Sequence, residues 1–139
     1  MTGRSELRLT CPALPERASS LRHALGAFLT ALDVTDDVAA DILTAVGETV
    51  INVIEHAYDD SGLSSAGAVE VVAFPPSAQT LRVDVCDYGT FIYRRTPRPD
   101  RGFGLRIVRA IARDVTVSAS ALGTQVSMIF DLGASARTV

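Results

Sequence analysis

The chain has 139 residues, a hydrophobic content of 47% and a net charge of −3. This length and composition fit one globular domain with its own core, and they exclude a chain that is disordered throughout. The net negative charge argues against general affinity for nucleic acid. All 13 basic residues are arginines, which excludes chemistry that requires a lysine, such as a lysine-containing phosphate loop or a Schiff base.

The sequence predicts a cytosolic protein with no membrane contact. No apolar run approaches the roughly 18 residues that cross a bilayer, and the first ten residues lack the apolar segment of a signal peptide. Cys11 and Cys86 have no metal-like spacing and are expected to be reduced thiols. No internal repeat or linker is visible, so a single domain is predicted over residues 1–139.

The first part of the chain predicts a strand and a helix. Leu7–Thr10 alternates apolar and polar residues, which is typical of a strand, and Pro12 is expected to end it. Pro15 suits the first turn of a helix, whose apolar stripe continues to Leu32. Thr35 is the predicted N-cap of the next helix.

The run from Asp41 to Tyr58 predicts an amphipathic helix. Its apolar residues recur at steps of three and four, and at about 100° per residue Glu48, Asn52 and Glu55 lie on the opposite side with Asp41. A carboxylate and a carboxamide four residues apart can reach one point, where they could bind a hard cation or place a base beside a ligand. A solvated polar face is the more common explanation, and the helix alone leaves both open.

The second part of the chain predicts strands that arrive in hairpins around a third helix. Val69–Phe74 predicts a strand that ends at Pro75-Pro76, and Leu81–Cys86 predicts its hairpin partner. A helix is predicted to begin at Gly102. The two closing strands are Val115–Ala119 and Thr124–Leu132. This order predicts an α+β fold, a two-layer sandwich in which helices cover one face of a mixed, mainly antiparallel sheet.

Two further features suggest ligand chemistry. Asp87 ends a predicted strand, and a carboxylate there can accept a hydrogen bond from the exocyclic amine of a purine, while Gly89 would let a flat base approach the backbone. Gly102 and Gly104 open a helix, where exposed backbone N–H groups can hold phosphate oxygens. An ordinary turn and a glycine hinge would explain these two features when each is taken alone.

Five motifs in order resemble the ATP-binding boxes of the gyrase/Hsp90/histidine-kinase/MutL ATPase superfamily. Within it they are most similar to the bacterial anti-sigma-factor serine/threonine kinases. The motifs are Glu48–Asn52, His56–Tyr58, Asp87–Gly89, Arg101–Val108 and Gly123–Met128. The resemblance covers the chain from Leu7 to Leu132 and implies the Bergerat ATP-binding fold, with ATP and Mg²⁺ as its ligands.

The resemblance implies a role for each matched residue. Glu48 corresponds to the general base that acts on the hydroxyl of a protein substrate, and Asn52 to the ligand of the Mg²⁺ that bridges the ATP phosphates. Asp87 corresponds to the acceptor of the adenine amino group, and Thr124 supports it from the neighbouring strand. The lid glycines and the other residues implied to bind nucleotide are Gly89, Gly102, Phe103, Gly104 and Leu105.

The resemblance also implies partners. These are a sigma factor that the protein sequesters, a small STAS-type antagonist that it phosphorylates on Ser or Thr, and a second copy of the chain in a homodimer. Direct contact with nucleic acid is not expected.

Three alternatives stay open. Phe91 occupies a position where the family often has a second glycine, and Pro97 and Pro99 stiffen a short lid, so the protein could be an interaction module that binds ATP weakly or not at all. The catalytic half of a histidine kinase would need a phosphoacceptor-His helical hairpin, for which no spare helices are predicted. An enzyme built on Cys86 would need a His base that the sequence does not suggest nearby.

Overall fold

The computed structural model of the protein describes residues 5–57, 67–87, 102–120 and 123–133. The strands are β1 (Leu7–Pro12), β2 (Ala68–Ser77), β3 (Thr80–Asp87), β4 (Asp114–Ser120) and β5 (Gly123–Asp131). The helices are α1 (Ala18–Ala31), α2 (Asp36–Asn52) and α3 (Gly102–Ile111). A 3₁₀ turn at Pro15–Arg17 precedes α1, so Pro15 starts this helical segment as predicted.

The five strands form one sheet in the order β1-β2-β3-β5-β4. All pairings among the described strands are antiparallel, so the predicted antiparallel majority is confirmed, whereas a parallel pair of the kind a mixed sheet would contain is not seen among them. The physical reason lies in the short connections, because β2–β3 and β4–β5 are hairpins that reverse the chain direction. The predicted α+β sandwich is therefore confirmed.

Prolines occur in two strands, at the end of β1 as the sequence predicted and inside β2, which the sequence predicted to end at Pro75-Pro76. Pro12 is the last residue of β1, which among the described strands pairs with β2 alone, so the N–H that Pro12 lacks is not required by a second described strand. In β2 the pairing register with β3 shifts between Phe74 and Ser77, and Pro75 and Pro76 lie in this irregular stretch. A bulge needs no N–H donor from these residues, which explains why the strand continues through them.

The connection between α1 and α2 is a Schellman turn. The Val34 N–H donates to the Leu29 carbonyl at 3.1 Å, and the Asp33 N–H donates to the Thr30 carbonyl at 3.0 Å. Asp33 has φ 62°, a left-handed conformation that Asp tolerates better than most residues. Thr35 is the N-cap of α2 as predicted, but its carbonyl rather than its side chain makes the bond at this helix start, to the Ala39 N–H at 2.9 Å.

The core lies between the helices and one face of the sheet. Alternate residues of the three central strands are buried there, namely Val69, Val71, Ala73, Leu81, Val83, Val85, Val126, Met128 and Phe130. The apolar stripes of α1 and α2 pack on them through residues such as Leu25, Leu29, Ile42 and Val50. Among the described helices, none combines the length and the hydropathy that crossing a bilayer would need.

The end of α2 differs from its prediction. The sequence predicted one helix up to Tyr58, but the α-helix ends at Asn52 and a π-helical turn follows at Val53–Ala57. A π turn contains more residues than an α turn, so the helical face that contains Glu48 and Asn52 does not extend to Glu55. Accordingly, Glu48 and Asn52 are half-buried and Glu55 is exposed.

Candidate functional site

Asp87 is the one buried acidic side chain among the residues that the structure describes, with 6% of its surface exposed. It is the last residue of β3 and continues the alternation of Leu81, Val83 and Val85, so it lies on the face that the helices cover. Thr124 is its cross-strand neighbour in β5, and the Thr124 N–H donates to Asp87 Oδ1 at 3.3 Å. A hydrophobic row of the sheet therefore ends in a carboxylate that faces the helical layer.

Glu48 and Asn52 lie on one flank of α2. The opposite flank faces α1, where a Cβ on Gly26 would lie 3.8 Å from Leu43 Cδ1. Glu48 and Asn52 are five and nine residues beyond Leu43, which places them roughly 140° and 180° around the helix from it. Since α3 also packs on α2, the half-burial of these two side chains places them at the boundary between solvent and the packed helices.

Asp41 and Glu55 do not share this environment. Both are exposed. The four polar residues that a helical wheel groups together are thus divided by the fold into two half-buried and two exposed side chains.

Thr49, next to Glu48, is a buried polar residue whose contacts the sequence did not reveal. It is 3% exposed, and its Oγ1 lies 2.9 Å from the Ala45 carbonyl oxygen and 3.7 Å from Met128 Sδ. Because Met128 belongs to β5, this contact joins the helix that carries Glu48 to the strand that carries Thr124. The only signal in the sequence was a hydroxyl within an otherwise apolar stripe.

The predicted start of the third helix is confirmed. Gly102 is the first residue of α3, and Gly104 lies in its first turn. Leu105 is half-buried and Val108 is fully buried, so this helix packs through its apolar side. The remaining residues of the predicted nucleotide set and lid that bear on this site, Gly89, Phe91, Pro97 and Pro99, lie outside the described residues, as does Tyr58.

The polar side chains of this region bear on whether ATP and Mg²⁺ could bind here. Within the described ranges, no group of three or more His, Cys, Asp or Glu side chains could hold a metal by itself. Mg²⁺ takes few protein oxygens and completes its shell with phosphates and water. Asn52 offers such an oxygen, and the buried Asp87 carboxylate offers an acceptor for a purine amine. The residues present therefore fit both groups.

Cys86 lies on the opposite side of β3 from Asp87. Its Sγ donates to Gln125 Oε1 at 3.4 Å. Partial burial, aided by the negative charges of Asp84, Glu70 and Asp87, raises the pKa of this thiol to about 11. Because the thiolate is the nucleophile, a raised pKa disfavours covalent catalysis by Cys86.

An antiparallel sheet with helices on one face and a strand-end Asp turned towards them is the arrangement of the gyrase/Hsp90/histidine-kinase/MutL class of ATP-binding domains. Residues 11–130 match the model of one family in that class, the histidine kinase-like ATPase domain. The chain belongs to this family.

A curated relative extends this result. The anti-sigma F factor of Bacillus licheniformis is 37% identical over 59 residues, which make up 42% of this chain and 40% of that protein. This chain therefore matches well under half of the length of that curated relative. The resemblance to anti-sigma factors in this superfamily is thereby confirmed.

Solved structures show the same fold at low identity. The RsbU and RsbW domains of Rv1364c from Mycobacterium tuberculosis match 92% of this chain and 32% of theirs, with a TM-score of 0.73 and 24% identity. The histidine kinase domain of a blue-light-activated histidine kinase from Erythrobacter litoralis EL346 matches 83% of this chain and 61% of its own, with a TM-score of 0.59 and 24% identity.

Proposed function

We propose that the protein is an anti-sigma regulatory factor that binds Mg-ATP and phosphorylates a serine or threonine of a small protein antagonist. The observation that carries the proposal is the buried Asp87 carboxylate, which faces the helical layer and accepts a bond from Thr124. A charged group in such a place costs free energy unless it has partners. Its position at the end of an apolar row supports a role in recognising a ligand.

Asp87 and Thr124 would hold the base of the nucleotide. One Asp87 oxygen accepts the Thr124 N–H, and a carboxylate has capacity for further bonds, which suits the exocyclic amine of adenine. Gly102 and Gly104, in the first turn of α3, would present backbone N–H groups to the phosphates. Gly89, Phe103 and Leu105 complete the proposed nucleotide-binding set.

Asn52 would supply the protein oxygen that binds Mg²⁺. When bound, the metal neutralises phosphate charge and orients the transferred group. Glu48, one helical turn earlier, would accept the proton of the substrate hydroxyl. Half-burial limits the conformations of both side chains, which favours the positioning on which phosphoryl transfer depends.

The proposed partners follow from the relatives. Similarity to an anti-sigma F factor supports a sigma factor as the sequestered partner. A small STAS-type antagonist would be the phosphorylated substrate, and its modification would free the regulator to hold the sigma factor again. We propose that the protein works in the cytosol, as a homodimer, without contacting nucleic acid directly.

A second candidate is an interaction module that regulates its partner by binding alone. The departure that favours it is Phe91, together with Pro97 and Pro99, in the segment where the family has a glycine-containing lid. Titration with ATP, with and without Mg²⁺, separates the two functions. Binding that strengthens with Mg²⁺ supports the kinase, whereas no binding at millimolar ATP would leave only the interaction module.

Transfer of a radiolabelled phosphate to candidate antagonists tests the catalytic assignment. We expect Glu48→Ala to lower the transfer rate by about 10²–10⁴-fold, because it removes a general base, and to leave ATP affinity nearly unchanged. Asp41→Ala is the matched control, since Asp41 is an exposed carboxylate on the same helix. Normal transfer by the Glu48 variant would show that another group is the base.

A further inference from the structure

Three large apolar side chains are exposed among the residues that the structure describes. They are Ile51 of α2, Ile107 of α3 and Val117 of β4, with 36%, 40% and 43% of their surface exposed. A single exposed apolar residue is common and needs no explanation, whereas a pair beside a reactive group can anchor a partner. The positions of Ile51 and Ile107 relative to Glu48 decide which explanation applies to them.

Ile51 is a surface neighbour of Glu48. The two residues are three positions apart in α2, so they lie about 60° apart around the helix and about one turn apart along it. Ile51 lies about 180° around α2 from the fully buried Ile42, and it directly precedes Asn52. It therefore borders the half-buried pair of Glu48 and Asn52 on the solvent side.

Ile107 lies on one flank of α3. The fully buried Val108 faces the core, and Ile107 and Arg109 lie about 100° from it on opposite flanks. β3 and β4 are both antiparallel to β5, so they run parallel to each other, and a connection between parallel strands of one sheet is right-handed. Since α2 packs on β3 and α3 on β4, this hand turns the Ile107 flank of α3 towards α2. Ile107 therefore lies across from the flank of α2 that carries Glu48 and Asn52.

We infer that Ile51 and Ile107 form the surface on which the protein substrate docks, with Glu48 between them. This inference rests on the proposed kinase function, because it names the place where the phosphorylated antagonist binds. A general base must come within about 2.6–3.2 Å of the hydroxyl oxygen whose proton it takes. The segment of the antagonist that carries this hydroxyl must therefore pass over the α2–α3 boundary, where the two isoleucines are exposed.

The partner that fits this surface is a Ser- or Thr-containing segment with apolar side chains on both sides of the hydroxyl residue. The charged side chains nearby do not favour a partner of one sign, because Asp41 on α2 and Arg106 on α3 are both exposed and have opposite charges. Apolar anchors inside a polar rim are the usual arrangement of a protein interface. Recognition of the antagonist then depends on shape and apolar contact more than on net charge.

Transfer kinetics at varied concentrations of the candidate antagonists test this surface. Ile51→Ser and Ile107→Ser each remove an apolar anchor from an exposed position, so the core is not disturbed. We expect each variant to raise the KM for the antagonist by about 5–30-fold, the equivalent of one apolar side chain that is no longer buried on binding. The kcat and the Kd of ATP should stay within about twofold, because neither side chain is assigned to the reacting atoms or to the nucleotide.

Val117→Ser is the matched control. Val117 is as exposed as the two isoleucines but belongs to the edge strand β4 and to neither helix, so its variant should keep the KM of the unchanged protein. Circular dichroism first establishes that each variant is folded. An unchanged KM in both isoleucine variants, or an equal rise in Val117→Ser, would overturn the inference while the transfer itself still supported the kinase. If the unchanged protein transferred no phosphate to any candidate antagonist, the proposed function would fail and the inference with it.

Discussion

The two faces of the sheet differ in where they carry polar side chains and in how these are paired. On the open face, charged groups have partners on the same or the next strand. Arg82 Nε donates to Asp84 Oδ1 at 2.9 Å, its guanidinium lies 6.0 Å from the Phe74 ring, and Gln125 donates to Ser127 at 3.1 Å. On the helix-covered face the sheet is apolar until Asp87. The comparison is between a carboxylate, Asp84, that pairs with a neighbouring arginine on the open face, and a carboxylate, Asp87, that ends an apolar row on the covered face.

The largest expected difference between the two faces is in how much a core substitution lowers the free energy of unfolding. Phe130 is buried against the helices with 2% exposure, whereas Phe74 is half-buried on the open face. We expect Phe130→Ala to lower the free energy of unfolding by about 3–5 kcal/mol, because it leaves a cavity in the core. Phe74→Ala should cost only about 1 kcal/mol, since the side chain is partly solvated. Urea denaturation of both variants measures the difference, and equal losses would show that the open face is also packed.

The next effect concerns nucleotide affinity. In an Asp87→Asn variant the side-chain oxygen can still accept the Thr124 N–H, but an NH2 donor replaces the second carboxylate oxygen and would face the adenine amine, which is also a donor. We expect ATP affinity to fall by roughly 10–150-fold, the equivalent of one hydrogen bond to a charged group. Isothermal titration calorimetry provides the measurement.

Asp84→Asn is the matched control for that measurement. Asp84 lies three residues earlier in the same strand, on the open face, and its ion pair with Arg82 is partly exposed. This variant should lose about 1 kcal/mol of stability or less and retain its ATP affinity. Equal affinity losses in the two variants would show that the strand as a whole, not the Asp87 carboxylate, determines binding.

The smallest expected effect is the pH dependence of stability that Cys86, on the open face, contributes. The pKa of Cys86 is raised from 9.0 to about 11 in the folded protein, mainly by burial, so the folded state keeps this proton where the unfolded state loses it. The stability that Cys86 contributes is therefore fully present below pH 9 and is lost as pH rises through about 11. We expect Cys86→Ala to flatten the fall in stability over this window. An unchanged pH profile would show that the thiol is not responsible.

Much of the fold was predictable from the sequence, because periodicity reports burial directly. The alternation of Leu81, Val83 and Val85 located β3 and its buried face, and the motif order located the start of α3. The prolines misled, since Pro75 and Pro76 normally end a strand, and a register shift that accommodates them has no sequence signature.

The site was predictable only in part. The motifs identified Asp87 and Thr124, and the structure places them opposite each other in adjacent strands. The helical wheel grouped Glu55 with Glu48 and Asn52, and the π turn after Asn52 separates them. The buried contact of Thr49 with Met128 could not be predicted from the sequence, because Met128 is 79 residues away.

The sheet order has a kinetic consequence. β2–β3 and β4–β5 are local hairpins, but β3 and β5 meet only when residues such as Asp87 and Thr124, 37 positions apart, come together. Because distant contacts form more slowly than local ones, we expect the hairpins to precede the β3–β5 junction during folding. A nucleotide held at that junction would bind only the assembled sheet and would shift the equilibrium towards the folded state in proportion to its occupancy. ATP concentration in the cell would then influence how long each molecule survives, separately from any reaction it undergoes.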